Sequence, residues 1–257
     1  MIDFTLDRLK SEYIVDAHAH LGVYHNFHIP FASWEHCADT ARRLNFKYIF
    51  ASSTRALAND AQSGNTELIA AADATGGLLR PYLVFKPNQE PGQLDDLIRL
   101  ATQHSTRTFK LHDDGNDLPY DHSGYLAFYE WADANQAIIL FHTFGRMHLD
   151  PISRMAEQFP NIRMLLAHAG ITDEDLYVET SKKHHNIYLE LANSWAWYGL
   201  IERLASHTDT KRILFGSDMP FLSPEQQLGR IISARISDEV RRGILGKNAQ
   251  ALFQLDS

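Results

Sequence analysis

Short apolar runs alternate with stretches of helical period along the chain. Eight of these runs, each bounded by turn or capping residues, predict strands: Ile14–His18, Lys47–Ser52, Leu79–Phe85, Thr106–His112, Ala137–His142, Ile162–His168, Ile187–Ala192 and Arg212–Ser217. Several are apolar on both faces, as in Ala137-Ile138-Ile139-Leu140-Phe141, which is the pattern of parallel strands covered by helices. Helix starts are marked between them. Asn65 precedes Thr66-Glu67-Leu68-Ile69, and Asp150-Pro151 and Ser223-Pro224 each set a capping residue before a proline. Thr172-Asp173-Glu174-Asp175 puts three carboxylates in a first turn, where the helix dipole favours them.

Eight strands alternating with helices predict an α/β fold, a distorted (β/α)8 TIM barrel, with the stretch after Ser223 forming extra C-terminal helices that close its wall or base. A doubly wound open sheet is the alternative. No Gly-x-Gly-x-x-Gly follows the first run and no phosphate-binding loop motif occurs, so that alternative lacks its nucleotide signature. With no internal repeat or linker, residues 1–257 read as a single domain.

Composition narrows the function. The chain has 24 basic and 32 acidic side chains, a net charge of −8, which argues against a nucleic-acid-coating surface. There is no run of 18 apolar residues and no basic start followed by an apolar segment at Met1–Asp7, so neither a membrane span nor a secretion signal is expected and a cytoplasmic location fits. The single cysteine, Cys37, excludes a disulfide within the chain and reads as a buried structural thiol. The 14 histidines are a pool of metal ligands.

Polar residues stand at the C-terminal ends of the apolar runs: His18 and His20, Lys110 and His112, His142, His168, Glu190 and Asp218. In a barrel these ends converge on one face. His18-Ala19-His20 alone is weak, because chance supplies roughly 0.8 such pairs in a chain of this histidine content. His142, His168 and Asp218 at other strand ends give it weight. A histidine or carboxylate set in so much apolar sequence would lose solvation if charged, and a metal resolves that.

These residues resemble the amidohydrolase superfamily, and in particular its amidohydrolase-related branch of metal-dependent hydrolases and decarboxylases. Val15-Asp16-Ala17-His18-Ala19-His20-Leu21-Gly22 is similar to that family's first-strand His-x-His, while His142 and His168 match its fifth- and sixth-strand histidines. Phe215-Gly216-Ser217-Asp218-Met219-Pro220 resembles its eighth-strand Gly-Ser-Asp-x-Pro, and Ile244–Phe253 its closing helix. The resemblance implies one divalent metal, zinc in most members, held by His18, His20, His142 and Asp218. It implies that His168 is a catalytic side chain or the ligand of a second metal. Lys110 would bind metal only if carbamylated and is otherwise a substrate-binding cation. Asp113-Asp114 replace the proline that often follows Lys-Leu-His, and Glu190 stands where the branch often has Asp, in a structural or supporting role. Asp16 is expected on the opposite face or behind a histidine ring.

The implied reaction is hydrolysis of a C–O or C–N bond in a small, carboxylate-bearing substrate by a metal-activated water. Asp218 takes the water proton and His168 steadies the oxyanion. Tyr24, His25, Arg55, Lys86, His112, Arg146 and Trp195 follow strand ends and are candidates to line the substrate pocket. His184-His185 and the acidic loop Asp113–Asp117 read as solvated loops. Non-oxidative decarboxylation is the alternative, and a TatD-like phosphoesterase a lesser one, since Lys110 stands where that group has Glu. A binding protein with a degenerate site is the reading outside enzymes. Oligomeric state is open, with a homodimer among the alternatives.

Overall fold

The computed structural model describes residues 9, 11–26, 28–58, 60–87, 92–113 and 118–256. The start of the chain and most of the acidic loop, residues 114–117, lie outside the described residues.

The strands are β1 (Ile14–Leu21), β2 (Phe46–Ser53), β3 (Leu79–Pro81), β4 (Leu83–Val84), β5 (Thr108–Leu111), β6 (Ile138–Phe141), β7 (Arg163–Leu166), β8 (Ile187–Glu190) and β9 (Ile213–Leu214). Every pairing is parallel, in the orders β1-β2-β3 and β4 through β9. β3 and β4 are one predicted strand, interrupted at Tyr82, whose N–H still donates to Ala51 O of β2 at 2.7 Å. The chain after β9 meets β1: Ala17 N donates to Phe215 O at 3.0 Å, Asp218 N to His18 O at 2.7 Å and His20 N to Met219 O at 2.7 Å. These bonds close the eight-stranded barrel.

Asp16 fastens this seam. Its Oδ1 accepts the Ser217 N–H at 2.8 Å and the His18 N–H at 3.1 Å, and its Oδ2 accepts the Ser217 hydroxyl at 2.5 Å. It therefore braces backbone between the first and last strands and holds no histidine ring.

A register irregularity in β1 between Asp16 and Ala19 matters for the site. Val15 and Ala17 fill the barrel interior with Leu140, Leu165 and Leu214. By strict alternation His18 and His20 would then face the helices. The irregularity shifts the parity, as a bulge does, and Ala19 and Leu21 pack outward instead. The two imidazoles thereby point into the barrel mouth. At the opposite end the last helix, Asn248–Phe253, plugs the barrel: Ala249 and Leu252 join the interior cluster and the Phe253 ring stacks on Phe50 at 3.8 Å.

Two helix starts differ from expectation. Asn65 lies inside the helix Ala61–Ala74, which Asp60 caps by accepting from Ser63 N. Asn65 is buried and pairs with both backbone groups of Val84, at 2.9 and 2.8 Å, so its side chain joins helix to strand. The helix carrying Asp150-Pro151 starts earlier, at Arg146 after Gly145, and runs to Gln158 with Pro151 inside. The other two starts hold: Ser223 caps Pro224–Ser233, and Asp173 caps Glu174–Lys183. Cys37 is buried on the helix Trp34–Arg43, and burial pushes its thiol up to about 12, as suits an inert structural group.

Candidate metal centre

The strand ends deliver His18, His20, Lys110, His168, Glu190 and Asp218 to one buried patch. His18 Nε2 and His20 Nε2 stand 3.1 Å apart, and Asp218 Oδ1 is 3.1 Å from His20 Nε2 and 3.5 Å from His18 Nε2. A tetrahedral ion about 2.0–2.1 Å from each ligand separates those ligands by about 3.3 Å. The donor triangle fits such an ion. Candidate ligand atoms of His18, His168 and Asp218 also lie within 4.8 Å of one another.

Each of three rings has its other nitrogen occupied. His18 Nδ1 faces Glu190 Oε2 at 2.8 Å, His20 Nδ1 faces Ser52 Oγ at 2.9 Å, and His168 Nδ1 faces Ala192 O at 2.8 Å. A carbonyl or carboxylate partner fixes Nδ1 as the protonated nitrogen and turns the Nε2 lone pair to the centre. Burial is the main reason that His18, His20, His168 and His142 are all driven below the ordinary imidazole range; Lys110 adds to it at all four, and Asp218 opposes it at His20 and His168. They are neutral imidazoles near pH 7, the form that binds metal. Burial raises the Asp218 carboxyl, but the His20 hydrogen bond and the positive groups beside it outweigh that and hold it low. His168 and Asp218 both sit at positive φ, 61° and 57°, a conformation uncommon outside glycine and concentrated at functional sites.

Lys110 is fully buried, its Nζ 3.0 Å from His18 Nε2, and burial lowers it to about 8. An ion taking the His18 lone pair would displace this bond and leave the amine to face a substrate.

His142 stands one step aside. Its ring stacks on His112 at 4.0 Å and lies 5.1 Å from the His168 ring, and it groups with His112 and Asp113. Near-parallel rings direct their lone pairs side by side, so the His112–His142 stack is a poor chelate for one ion. Asp113 Oδ1 lies 3.4 Å from His112 Nδ1, and its Oδ2 is held by His148 Nε2 at 3.0 Å, whose Nδ1 accepts the Phe144 N–H at 2.8 Å. The sequence pattern predicts a solvated loop at Asp113 and marks neither His148 nor Ser52 as a site residue. His148, in the first turn of the helix Arg146–Gln158, carries no strand-end signal.

The arginines are farther out. Arg55 is half-exposed and bonded to Asp60 and Glu67, and Arg146 is exposed beside Asp150 at 3.6 Å and Asp173 at 3.9 Å. His25 and Arg55 line a cavity of about 500 Å³ beside the mouth, between the segments following β1 and β2. Tyr24 reaches the mouth through Phe221, whose ring lies 4.7 Å from His20. Trp195 is exposed and packs against Trp197 at 5.3 Å. Lys86 is buried and donates to Ala58 O at 3.2 Å. His184, expected in a solvated loop, is buried and bonds Ser153 Oγ at 2.8 Å.

Among solved structures, 5-carboxyvanillate decarboxylase LigW from Sphingomonas paucimobilis superposes with a TM-score of 0.76 at 11% identity, covering 96% of this chain and 100% of that one. A 2,6-dihydroxybenzoate decarboxylase gives 0.72 at 12% identity, covering 95% and 100%. A protein of Pseudomonas putida classed provisionally as a 2-pyrone-4,6-dicarboxylic acid hydrolase gives 0.73 at 17% identity, covering 95% and 99%. At these identities the likeness establishes the barrel fold. No curated protein matches the chain by sequence. Among the described residues no helix is long and apolar enough to cross a membrane. The family model described as amidohydrolase matches residues 15–255, and the chain therefore belongs to the amidohydrolase family of metal-dependent enzymes.

Proposed function

We propose that this protein is a cytoplasmic, single-domain hydrolase that cleaves a C–O or C–N bond of a small carboxylate-bearing substrate. The observation that carries the reading is the convergence of His18 Nε2, His20 Nε2 and Asp218 Oδ1 within 3.1–3.5 Å in a buried mouth, with Lys110 beside them. A divalent ion, zinc by the imidazole and carboxylate donor set, held by His18, His20, Asp218 and one of His142 or His168, supplies Lewis acidity and acidifies water in the pocket.

The chain's own groups do the rest. Asp218 Oδ1 faces the imidazoles, which leaves Oδ2 to take the proton of the attacking water and return it to the leaving group. With His142 as the fourth ligand, His168, held by Ala192 O, offers Nε2 to the developing oxyanion. Lys110 in its free form pairs with the substrate carboxylate; His112 and Trp195 line its path, and Arg55 and Arg146 stand at the rim, each already paired with carboxylates.

Decarboxylation is the second reading. A buried cation 3.0 Å from His18 Nε2 would hold a carboxylate over the same centre, and two of the similar structures are decarboxylases. Metal content per chain, with anomalous scattering at the site, tests the shared part of both readings. A panel of lactones, cyclic amides and hydroxybenzoates scored for ring-opened acid or released CO2 separates them. A metal-free chain that retains activity would overturn both.

A further inference from the structure

Glu190 is a fully buried carboxylate that the proposed reaction leaves without a task. It accepts from three directions. Oε1 takes the Ala192 N–H in a short bond, and Oε2 takes the His168 N–H at 3.4 Å and faces His18 Nδ1 at 2.8 Å. An ionised carboxylate only accepts, so in that form, which the Ala192 and His168 N–H groups favour, Glu190 takes its third bond from His18 Nδ1. The His18 Nε2 lone pair is thereby turned toward His20 and Asp218. The same carboxylate holds the backbone of His168 at its positive φ.

Gly216 makes room for this. A Cβ there would overlap Glu190 Oε1 and come within 2.7 Å of Glu190 Cδ and of the His18 Cβ. The φ at Gly216 is not positive, so the glycine answers to space and not to backbone conformation.

We propose that Glu190 is the positioning residue of the metal centre, fixing the His18 tautomer and the His168 turn together, and that Gly216 is a glycine so that the Glu190 carboxylate can lie between them. This rests on the metal-centre reading above.

Glu190→Gln is the discriminating variant because it keeps volume and packing. An amide has one acceptor oxygen. Facing Oε2's partners, it sets its NH2 against the Ala192 N–H. Facing Ala192, it donates to His18 Nδ1 and forces the ring proton onto Nε2, where the ligand lone pair is needed. Zinc affinity of the chelator-stripped full chain is measured by competition with a chromophoric chelator, alongside the thermal midpoint of the metal-free form. The expected result is zinc binding 10- to 100-fold weaker, the usual effect of losing such a partner, with a metal-free midpoint within a few degrees of the parent. Parent-like zinc affinity in Glu190→Gln would overturn the proposal, as would a loss of midpoint with affinity unchanged. If the parent itself binds no zinc, the functional reading fails instead. Gly216→Ala is expected to weaken zinc binding more in the parent than in a Glu190→Ala background, and equal effects in the two would refute the role given to Gly216.

Discussion

Lys110→Met exchanges function for stability, and the size of the exchange follows from burial. The Lys110 ammonium is fully buried and its pKa falls from 10.5 to about 8. That fall corresponds to about 3 kcal/mol against keeping the charge in the folded chain. At pH 7 both folded and unfolded forms are protonated, so the whole penalty falls on the native state. As pH rises through 8 the native amine releases its proton first, while the unfolded chain holds its own to 10.5. Native stability therefore recovers with rising pH, and at pH 9.5 less than half of the penalty is left. Methionine fills nearly the same volume without a charge. Allowing for relaxation around a buried ion, the metal-free variant should be about 2–3 kcal/mol more stable at pH 7, or roughly 5–10 °C in Tm. The gap should shrink by more than half at pH 9.5, and catalytic activity should be lost. Urea unfolding of chelator-treated parent and variant at both pH values measures this. A variant no more stable than the parent at pH 7, or a gap that does not narrow with pH, would refute a buried ammonium at position 110. A carbamylated lysine would give that result, and intact-mass measurement would show the added CO2.

Asp218→Asn keeps the shape and tolerates positive φ, so it should fold with metal bound and lose at least about 100-fold in kcat/KM; full activity with metal in place would exclude the proton route. Asp16→Ala strips three donors at the barrel seam of their acceptor and should cost about 3 kcal/mol or more in urea unfolding. Gly246→Ala would drive a Cβ into the Tyr13 carbonyl, which is backbone and cannot swing away, so a loss of at least about 1–3 kcal/mol is expected. Chelation should lower Tm, and zinc restored at about 100 times its Kd should return about 2.7 kcal/mol, with calcium at the same concentration returning little.

The barrel, and the gathering of most candidate-site residues at its mouth, can be read from the order of residues along the chain. Doubly apolar runs such as Ile138–Phe141 need cover on both faces, and eight apolar runs alternating with helices leave few architectures. Strand-end polar residues then share a mouth because parallel strands all end on one side, which is why His18, His20, His168 and Asp218 were legible together. Ser223-Pro224 and Asp173 were legible as helix starts because a cap is a local hydrogen bond.

What depended on distant partners was decided only in three dimensions. Asn65 reads as a cap until Val84 claims both ends of its amide. His142 reads as the ligand that completes the set of His18, His20 and Asp218, but the ring of His112 draws it into a stack beside them. The inward aim of His18 and His20 depends on a register irregularity against β2, which no period within β1 announces. Glu190 and Gly216 lie 26 residues apart, and one explains the other only because β8 and the segment after β9 are neighbours. Period and capping are properties of adjacent residues and can be read along the chain. Ring orientation, tautomer and the space for a carboxylate are set by atoms that only folding brings together.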